Sequence, residues 1–375
     1  MRMKAAVAYG LREPLVVEEL ELDAPKADEV LIKMTASGVC HSDVSSWTGA
    51  LPRDFPVVLG HEGAGVVEAI GEDVTSVEPG GQVVLTFLPS CGHCRCCHTG
   101  HPYMCDLGQY IRTGKMPDGT TRLHRARDGL DIDNMVFIST FAEYSVVPEA
   151  SIVPVAAHLP LDKLCLMGCG FTTGFGAATN AIQIRPGETV TIVGCGGLGL
   201  AAIQGCVLSG AGKIIAVDVH EEKLTMAKKM GATHTIQHRQ VAEEVVKEIM
   251  EITWGLGTDY SMEFVGGDEI DQTVPVAFGA IRKGGTMLMV GVGHHEIKSM
   301  PIDPYTLTLW RKKVQGVLFG DAQFRADIPR YIDLFEQGKI NLDDMITKEY
   351  RLEQINEAFD DVLAGNRVAR GIIRF

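Results

Sequence analysis

Between residues 185 and 318 short β-branched runs alternate with stretches of helical spacing, and nothing else in the chain restricts its fold as strongly. TVTIVG (189–194) is a continuous β-branched run, as expected of a parallel strand buried on both faces. KIIAVDV, the amphipathic EEKLTMAKKMGA ending at Gly231, HTIQ, AEEVVKEIMEI, DYSMEFVG, a helical stretch at 269–281 and TMLMVGV then follow in turn. Strand and helix alternating in this way predict an α/β domain with a doubly wound parallel sheet.

The first turn of that sheet is GCGGLG, residues 194–199. Gly194 permits the tight turn, Gly196 lets the backbone approach a pyrophosphate, and Gly199 lets helix pack on strand. The helix that opens there offers unpaired N–H groups and a partial positive charge to phosphate. A glycine-rich turn alone is a weak signal. Here it follows a strand, opens a helix, and is followed by Asp218 at the end of the next strand. An acid at that place suits the ribose hydroxyls of NAD and repels the 2′-phosphate of NADP. The bland alternative is an α/β sheet without a nucleotide, and the full pattern weighs against it.

Residues 1 to about 150 have a different texture. VLIKMTASG, VVLG, GAGVVEAIG and GGQVVLTF read as strands punctuated by Gly, Pro and acidic turns, without a long helical period. This part is expected to be an irregular β-rich domain. Residues 106–136 form a polar segment of weak periodicity, read as a long functional loop. IPRYIDLFEQGKI and LEQINEAFDDVLAG predict helices near the C-terminus, closed by a strand GIIRF. At 375 residues, two domains are the expectation.

Composition narrows the partners. A net charge of −14 argues against nucleic acid, and the basic clusters Arg122–Arg127 and Arg311–Lys313 are too small to overturn this. No run of eighteen apolar residues suggests a membrane span. MRMKAAVAYG reads as a first strand rather than a secretory signal, so a cytoplasmic location is expected.

Ten cysteines are many for such a chain, and five of them fall between 91 and 105. Clustered thiols without an export signal point to metal more than to disulfides. Cys91, Cys94, Cys97 and Cys105 suffice for a closed tetrahedral Zn²⁺ site, which is structural because no position remains for substrate. An iron–sulfur centre or a redox disulfide pair are the alternatives. Cys96 is a fifth thiol such a site cannot use, and His93, His98 and His101 are read as bystanders. Earlier in the chain, Cys40 and His61 each stand beside a glycine turn and are followed by an acid, Asp43 and Glu62. By itself a lone Cys is more often a buried hydrophobe than a ligand.

GVCHSD (38–43), GHEGAG (60–65), the four-cysteine stretch, GCGFTTG (168–174), GCGGLG and AVD together resemble the zinc-dependent medium-chain alcohol dehydrogenases, over essentially the full length. The resemblance implies an irregular β-rich, GroES-like catalytic domain over 1–177 and 319–375, and a Rossmann domain over 178–318. It implies two Zn²⁺ per chain and NAD, a small alcohol or aldehyde substrate, and a homodimer. Cys40, His61 and Cys169 would bind the catalytic zinc, with Glu62 behind the metal and able to approach it. Asp43 would accept a hydrogen bond from the free ring nitrogen of His61.

The reaction so implied is reversible oxidation of a primary alcohol to the aldehyde. Zinc lowers the pKa of a bound hydroxyl (for water from about 16 to about 7), an alkoxide forms, and its hydride passes to the nicotinamide. Ser42 matches the residue that contacts the alcohol oxygen and hands its proton to the cofactor ribose. Lys223 and Arg370 match positions holding the adenosine ribose and the pyrophosphate. Thr173, Gly197, Leu198, Val265, Val290, Gly291 and Val292 complete the cofactor contacts, with His41 near the pyrophosphate. Leu51, Phe87, Met135, Val136, Val292 and Leu318 would line the substrate pocket. All are apolar, which favours medium-sized aliphatic, allylic or aromatic alcohols over polyols. Leu51 and Arg53 suit glutathione adducts poorly. A formaldehyde- or dye-linked enzyme that keeps NAD(H) bound is the alternative among enzymes, and a non-catalytic dinucleotide-binding protein the alternative of another class.

Two positions depart from the liver-type pattern: Ser45 stands where those enzymes carry a relay histidine, and His41 where they often carry an arginine. Histidine holds phosphate less firmly than arginine. Stopped-flow measurement is therefore expected to show slower NADH release in His41→Arg than in the unaltered protein, and equal rates would refute this reading of His41.

Overall fold

The computed structural model describes residues 1–238, 241–365 and 368–375. Two compact units emerge, Met1–Gly170 with Gln323–Gln337 and Leu342–Phe375, and Phe171–Ala322 with Gly338–Asn341. The boundaries expected from the sequence were 177/178 and 318/319.

The first unit begins with β1 (Arg2–Ala8), β2 (Val16–Leu22), β3 (Glu29–Val39), β4 (Val57–Val58), β5 (Glu62–Ile70), β6 (Gln82–Leu85), β7 (Leu123–Arg125), β8 (Asp131–Asn134), β9 (Tyr144–Pro148) and β10 (Ile152–Val155). The second unit holds β11 (Thr189–Val193), β12 (Lys213–Asp218), β13 (His234–Gln237), β14 (Thr258–Glu263), β15 (Ile281–Met289) and β16 (Lys313–Gly316). The chain then returns to the first unit with β17 (Ile346–Tyr350) and β18 (Arg370–Arg374).

In the first unit β1-β2-β7-β8-β4 close into a small barrel, filled by Leu20, Leu22, Leu123 and Ile132. Beside it runs a sheet in the order β10-β6-β5-β3-β18-β17, with β9 also paired to β3. The eleven-residue β3 is its organising strand, because its two halves serve different partners. Glu29–Lys33 pair with β9, and Ala36–Val39 pair with β18. On the other edge β5 follows β3 from Val30 to Gly38. Nearly every residue of β3 is buried in consequence.

Two features of this unit differ from the sequence expectation. The segment 106–136 is no uniform loop, since it supplies β7 and β8 and so completes the barrel. Strands of three and four residues carrying His, Arg and Asp are too short and polar to show an alternating pattern. The eight-residue helix His41–Thr48 also went unforeseen. Its polar face, HSDVSSWT, hides helical spacing, and Gly49 in a left-handed conformation (φ +91°) ends it.

In the second unit the six strands are parallel in the order β13-β12-β11-β14-β15-β16. Numbered from β11, this is the 3-2-1-4-5-6 order of a dinucleotide-binding sheet. Helices Gly197–Leu208, Glu221–Lys229, Ala242–Ile252 and Ile270–Ala280 connect the strands. Val245 and Ile249 of the third helix pack with Val274 and Phe278 of the fourth against the sheet. Among the described residues no helix is long and apolar enough to cross a membrane.

A buried ion pair pins the segment carrying β7 to β3. Arg122 donates Nε to Glu29 Oε2 at 2.8 Å and Nη2 to Glu29 Oε1 at 2.6 Å, with both side chains almost fully enclosed. Removing one partner of such a pair strands the other charge without solvent. Arg122→Ala is expected to lower stability to urea by about 3–5 kcal/mol. A change within experimental error would show that Glu29 finds other compensation.

Candidate active site and cofactor-binding turn

The register of β3 brings the first cluster together. Gly38 lies opposite Glu62 on β5, and Val39 lies opposite Gly371 on β18. The end of β3 therefore delivers Cys40 beside the start of β5, where Glu62 follows His61, and beside Arg370. Gly38 is required here, because a Cβ on it would stand 2.1 Å from Glu62 Oε2. The short helix at Cys165–Gly168 then adds Cys169. Ligand atoms of Cys40, His61, Glu62 and Cys169 all lie within 4.8 Å of one another, and all four residues are buried.

Asp43 organises this group. Its Oδ2 accepts from the Cys40 backbone N–H at 3.0 Å, and its Oδ1 accepts from the Gly60 N–H at 3.1 Å. The same Oδ1 lies 2.8 Å from His61 Nδ1. With Nδ1 engaged, the buried His61 Nε2 has no hydrogen-bond partner. An orphaned imidazole nitrogen between two thiols is costly unless an ion uses it. The soft Cys₂His donors and one hard carboxylate suit Zn²⁺, and the residues present fit that ion.

The electrostatics are tightly linked. Cys169 shares its proton with Cys40: that hydrogen bond holds the Cys40 thiol well below its usual range, against burial and with help from the Arg370 charge. Cys169 is correspondingly pushed up, by the same bond and by burial. Burial opposes the charged form of His61, but Asp43 and Cys40 outweigh it and raise its pKa. Burial lifts Glu62 to about 7, opposed by Arg370. Arg370 donates Nη2 to Glu62 Oε1 at 3.0 Å and to Cys40 Sγ at 3.3 Å. Gly170 leaves room for it, since a Cβ there would lie 2.4 Å from Nη2. The structure thus places Arg370 against the ligand cluster.

Ser42 is half-buried, with Oγ 3.8 Å from Cys40 Sγ. His41 is exposed, and its Nδ1 lies 3.2 Å from Ser45 Oγ one helical turn away. Phe87 stands edge-on to the His61 ring at 6.0 Å. Leu51 is half-buried, while Met135 and Val136 are packed in the core.

The second cluster holds Cys91, Cys94, Cys97 and Cys105, whose sulfurs likewise lie within 4.8 Å of one another. Cys91 and Cys97 sulfurs are 4.0 Å apart, and those of Cys94 and Cys105 3.9 Å. This is too far for disulfides, but four sulfurs each ~2.3 Å from a tetrahedral Zn²⁺ lie at about that spacing. Backbone N–H groups point at three of the sulfurs: Cys91 N donates to Cys105 Sγ, Cys94 N to Cys91 Sγ and Cys97 N to Cys94 Sγ. Such bonds from Cys97 and Asp106 hold Cys94 down at about 6, whereas burial pushes Cys105 up to about 12. Neither Cys96 nor His93, His98 or His101 joins the cluster.

In the second unit Gly194 is left-handed (φ +91°) and Gly196 caps the helix Gly197–Leu208. A Cβ on Gly199 would stand 2.0 Å from Gly194 O, while one on Gly196 would meet nothing within 4 Å. That open space over a helix N-terminus is the cradle a pyrophosphate needs. Asp218 is drawn to the turn, accepting from Cys195 N at 2.7 Å and from His220 N at 2.9 Å. Leu198 approaches Gly174 closely enough that a Cβ on the latter would lie 2.0 Å from Leu198 O, and Thr173 beside it is buried. Lys223 is half-buried, Val290 buried, and Val265, Val292 and Leu318 are exposed.

Glu263 escaped the sequence reading. This fully buried carboxylate accepts from Val265 N at 2.9 Å and Gly266 N at 3.0 Å, and its own carbonyl accepts from Val290 N and Gly291 N. It thereby holds the two loops at the ends of β14 and β15. Its only sequence signal was an acid ending an apolar strand.

Comparison with known proteins agrees with this geometry. Residues 26–157 match the alcohol dehydrogenase GroES-like domain, and residues 197–337 match the zinc-binding dehydrogenase domain. The chain is 42% identical to an NDMA-dependent alcohol dehydrogenase of Amycolatopsis methanolica, covering 100% of this chain and 99% of the relative. It is 40% identical to alcohol dehydrogenase B of Mycobacterium tuberculosis, with 100% and 99% covered. Among solved structures, benzyl alcohol dehydrogenase from Acinetobacter calcoaceticus superposes with a TM-score of 0.92 at 32% identity, covering 100% of this chain and 99% of that one.

Because Asp43 fixes the tautomer of His61, Asp43→Asn is expected to weaken zinc binding at the first cluster by about 10–100-fold. Competition with a chromogenic chelator would measure it, with the four-cysteine site as internal control. Equal loss at both sites, or at neither, would count against this role.

Proposed function

The chain belongs to the zinc-dependent medium-chain alcohol dehydrogenase family, and from that premise we propose that it oxidises primary alcohols of medium size, aliphatic, allylic or aromatic, reversibly to aldehydes. The observation carrying this reading is the convergence of Cys40, His61, Glu62 and Cys169 around the unpartnered His61 Nε2. Zinc held by these residues would supply Lewis acidity toward the substrate oxygen, and NAD held at the Gly194–Gly199 turn would supply the hydride acceptor.

The remaining work falls to the chain. Asp43 holds the Nδ1 side of His61, so Nε2 is presented to the ligand group. Ser42 Oγ receives the proton of the substrate hydroxyl and passes it toward the cofactor ribose. Arg370 neutralises the thiolate and carboxylate charge, which burial would otherwise penalise. Phe87 and Leu51 favour an apolar substrate body. Asp218 selects NAD through the ribose hydroxyls. Lys223, in the same unit, steadies the adenosine end. A homodimer in the cytoplasm completes the proposal.

The Amycolatopsis relative, described as NDMA-dependent, supports a second reading in which NAD(H) stays bound between turnovers and its electrons leave to a separate acceptor. Retention of NAD(H) through gel filtration would distinguish the two.

The zinc-loaded protein is expected to reduce NAD with benzylic, allylic or medium-chain primary alcohols. Ser42→Ala should then lose about 10²–10⁴-fold in kcat, as for other proton-transfer groups, with zinc content unchanged. No NADH formed from any member of such a panel would remove the primary reading.

A further inference from the structure

Outside the thiol clusters, two arginines of the first unit lie close to each other in the chain fold without an acid partner of their own among the described residues. Arg53 lies between the helix His41–Thr48 and β4, half-buried. Its Nε is closed off from solvent and has no hydrogen-bond partner. Its Nη1 makes one long bond, 3.4 Å, to the carbonyl of Ile111. Arg112 follows that carbonyl in the chain and is exposed. Burial, and after it the charge of Arg112, press the Arg53 pKa down. Among the described residues neither guanidinium has a carboxylate at ion-pair distance.

Three acids counter the Arg53 charge from further away, Asp43, Asp133 and Asp54. Asp43 is committed to Cys40, Gly60 and His61, and Asp133 pairs with Lys115 at 2.5 Å. Only Asp54, itself exposed, is uncommitted. Two guanidiniums held near each other, one with a stranded donor, carry a cost that an anion would relieve.

Their position indicates which anion. Ile111 and Phe55 pack on the core that holds Met135 and Val136, and so does Phe87. Phe87 in turn stands against the His61 ring, whose other side is held by Asp43. The neighbours of both arginines and the aromatic beside His61 thus pack on one hydrophobic core, and Asp43, which holds His61, is the first of the acids that counter the Arg53 charge.

We propose that Arg53 and Arg112 form an anion subsite, and that the preferred substrates are primary alcohols whose apolar ring or chain ends in a carboxylate. This rests on the alcohol-oxidising reading above and narrows it. A guanidinium pairs with a carboxylate through two parallel N–H bonds, which fixes orientation as well as charge. An apolar body with a charged end would lie on the Phe87 wall with its hydroxyl toward His61 and its carboxylate on the arginines.

The test compares 4-(hydroxymethyl)benzoate with its methyl ester as substrates of the zinc-loaded enzyme. The unaltered protein should favour the acid by about tenfold or more in kcat/KM, the worth of a charge-assisted hydrogen bond. That ratio should shrink at high salt and collapse toward unity in Arg53→Gln and Arg112→Gln. Because Arg53 could also serve only to clamp Ile111, the exposed Arg112 is the deciding variant. Calorimetric titration with terephthalate, which has no hydroxyl, reads the subsite without turnover and should weaken by about tenfold in Arg112→Gln. Equal use of acid and ester by the unaltered protein, terephthalate that does not bind, or terephthalate binding unchanged in Arg112→Gln would each overturn the subsite. If neither alcohol is oxidised, the catalytic reading fails, and the terephthalate titration still decides the subsite.

Discussion

The pairing of Gly38 with Glu62 is the constraint on which the catalytic unit depends. Side chains in a strand alternate faces, so a slip of one residue between β3 and β5 would turn Glu62 and its neighbours to the opposite side. The register is enforced from both edges. β18 pairs with the last four residues of β3, and β9 with the first five. Glycine at 38 is what lets the Glu62 carboxylate lie across the strand at all.

Around that crossing the protein has buried an unusual density of charge. Asp43, Glu62, Arg370 and the Cys40–Cys169 pair share a few ångströms of interior, and each is tolerable only through the others. Arg370 bonds a thiolate and a carboxylate at once, and Asp43 satisfies two backbone N–H groups besides the imidazole. Such a group adds little to stability compared with a packed hydrophobic equivalent. Its value lies in orientation: it leaves one nitrogen, two sulfurs and one carboxylate oxygen pointing at a common centre.

The second unit solves a simpler problem by backbone means. Gly194, Gly196 and Gly199 clear a path over the helix N-terminus, and Asp218 and Glu263 tether the loops beside it through backbone N–H groups. Asp218, which in the sequence looks like a ligand contact, thus also serves as a brace. A loop braced from within its own unit presents its N–H groups without reorganising when a phosphate arrives.

Local signals determined much of this protein from the sequence alone. The alternating runs from TVTIVG to TMLMVGV specified a parallel sheet, because burial on both faces demands continuous apolar strands. The clustered cysteines pointed to a metal site, because thiols so clustered without an export signal favour metal over disulfides. What only the tertiary structure decided involves residues far apart in the chain or too short-ranged in pattern. β7 and β8 gain strand character from barrel closure, not from their own residues. Arg370 meets Cys40 from 330 positions away, and Arg53 meets Ile111 across 58. No periodicity encodes such meetings. They follow from the register of β3 and from the packing of its neighbours, which exist only once the sheet has formed.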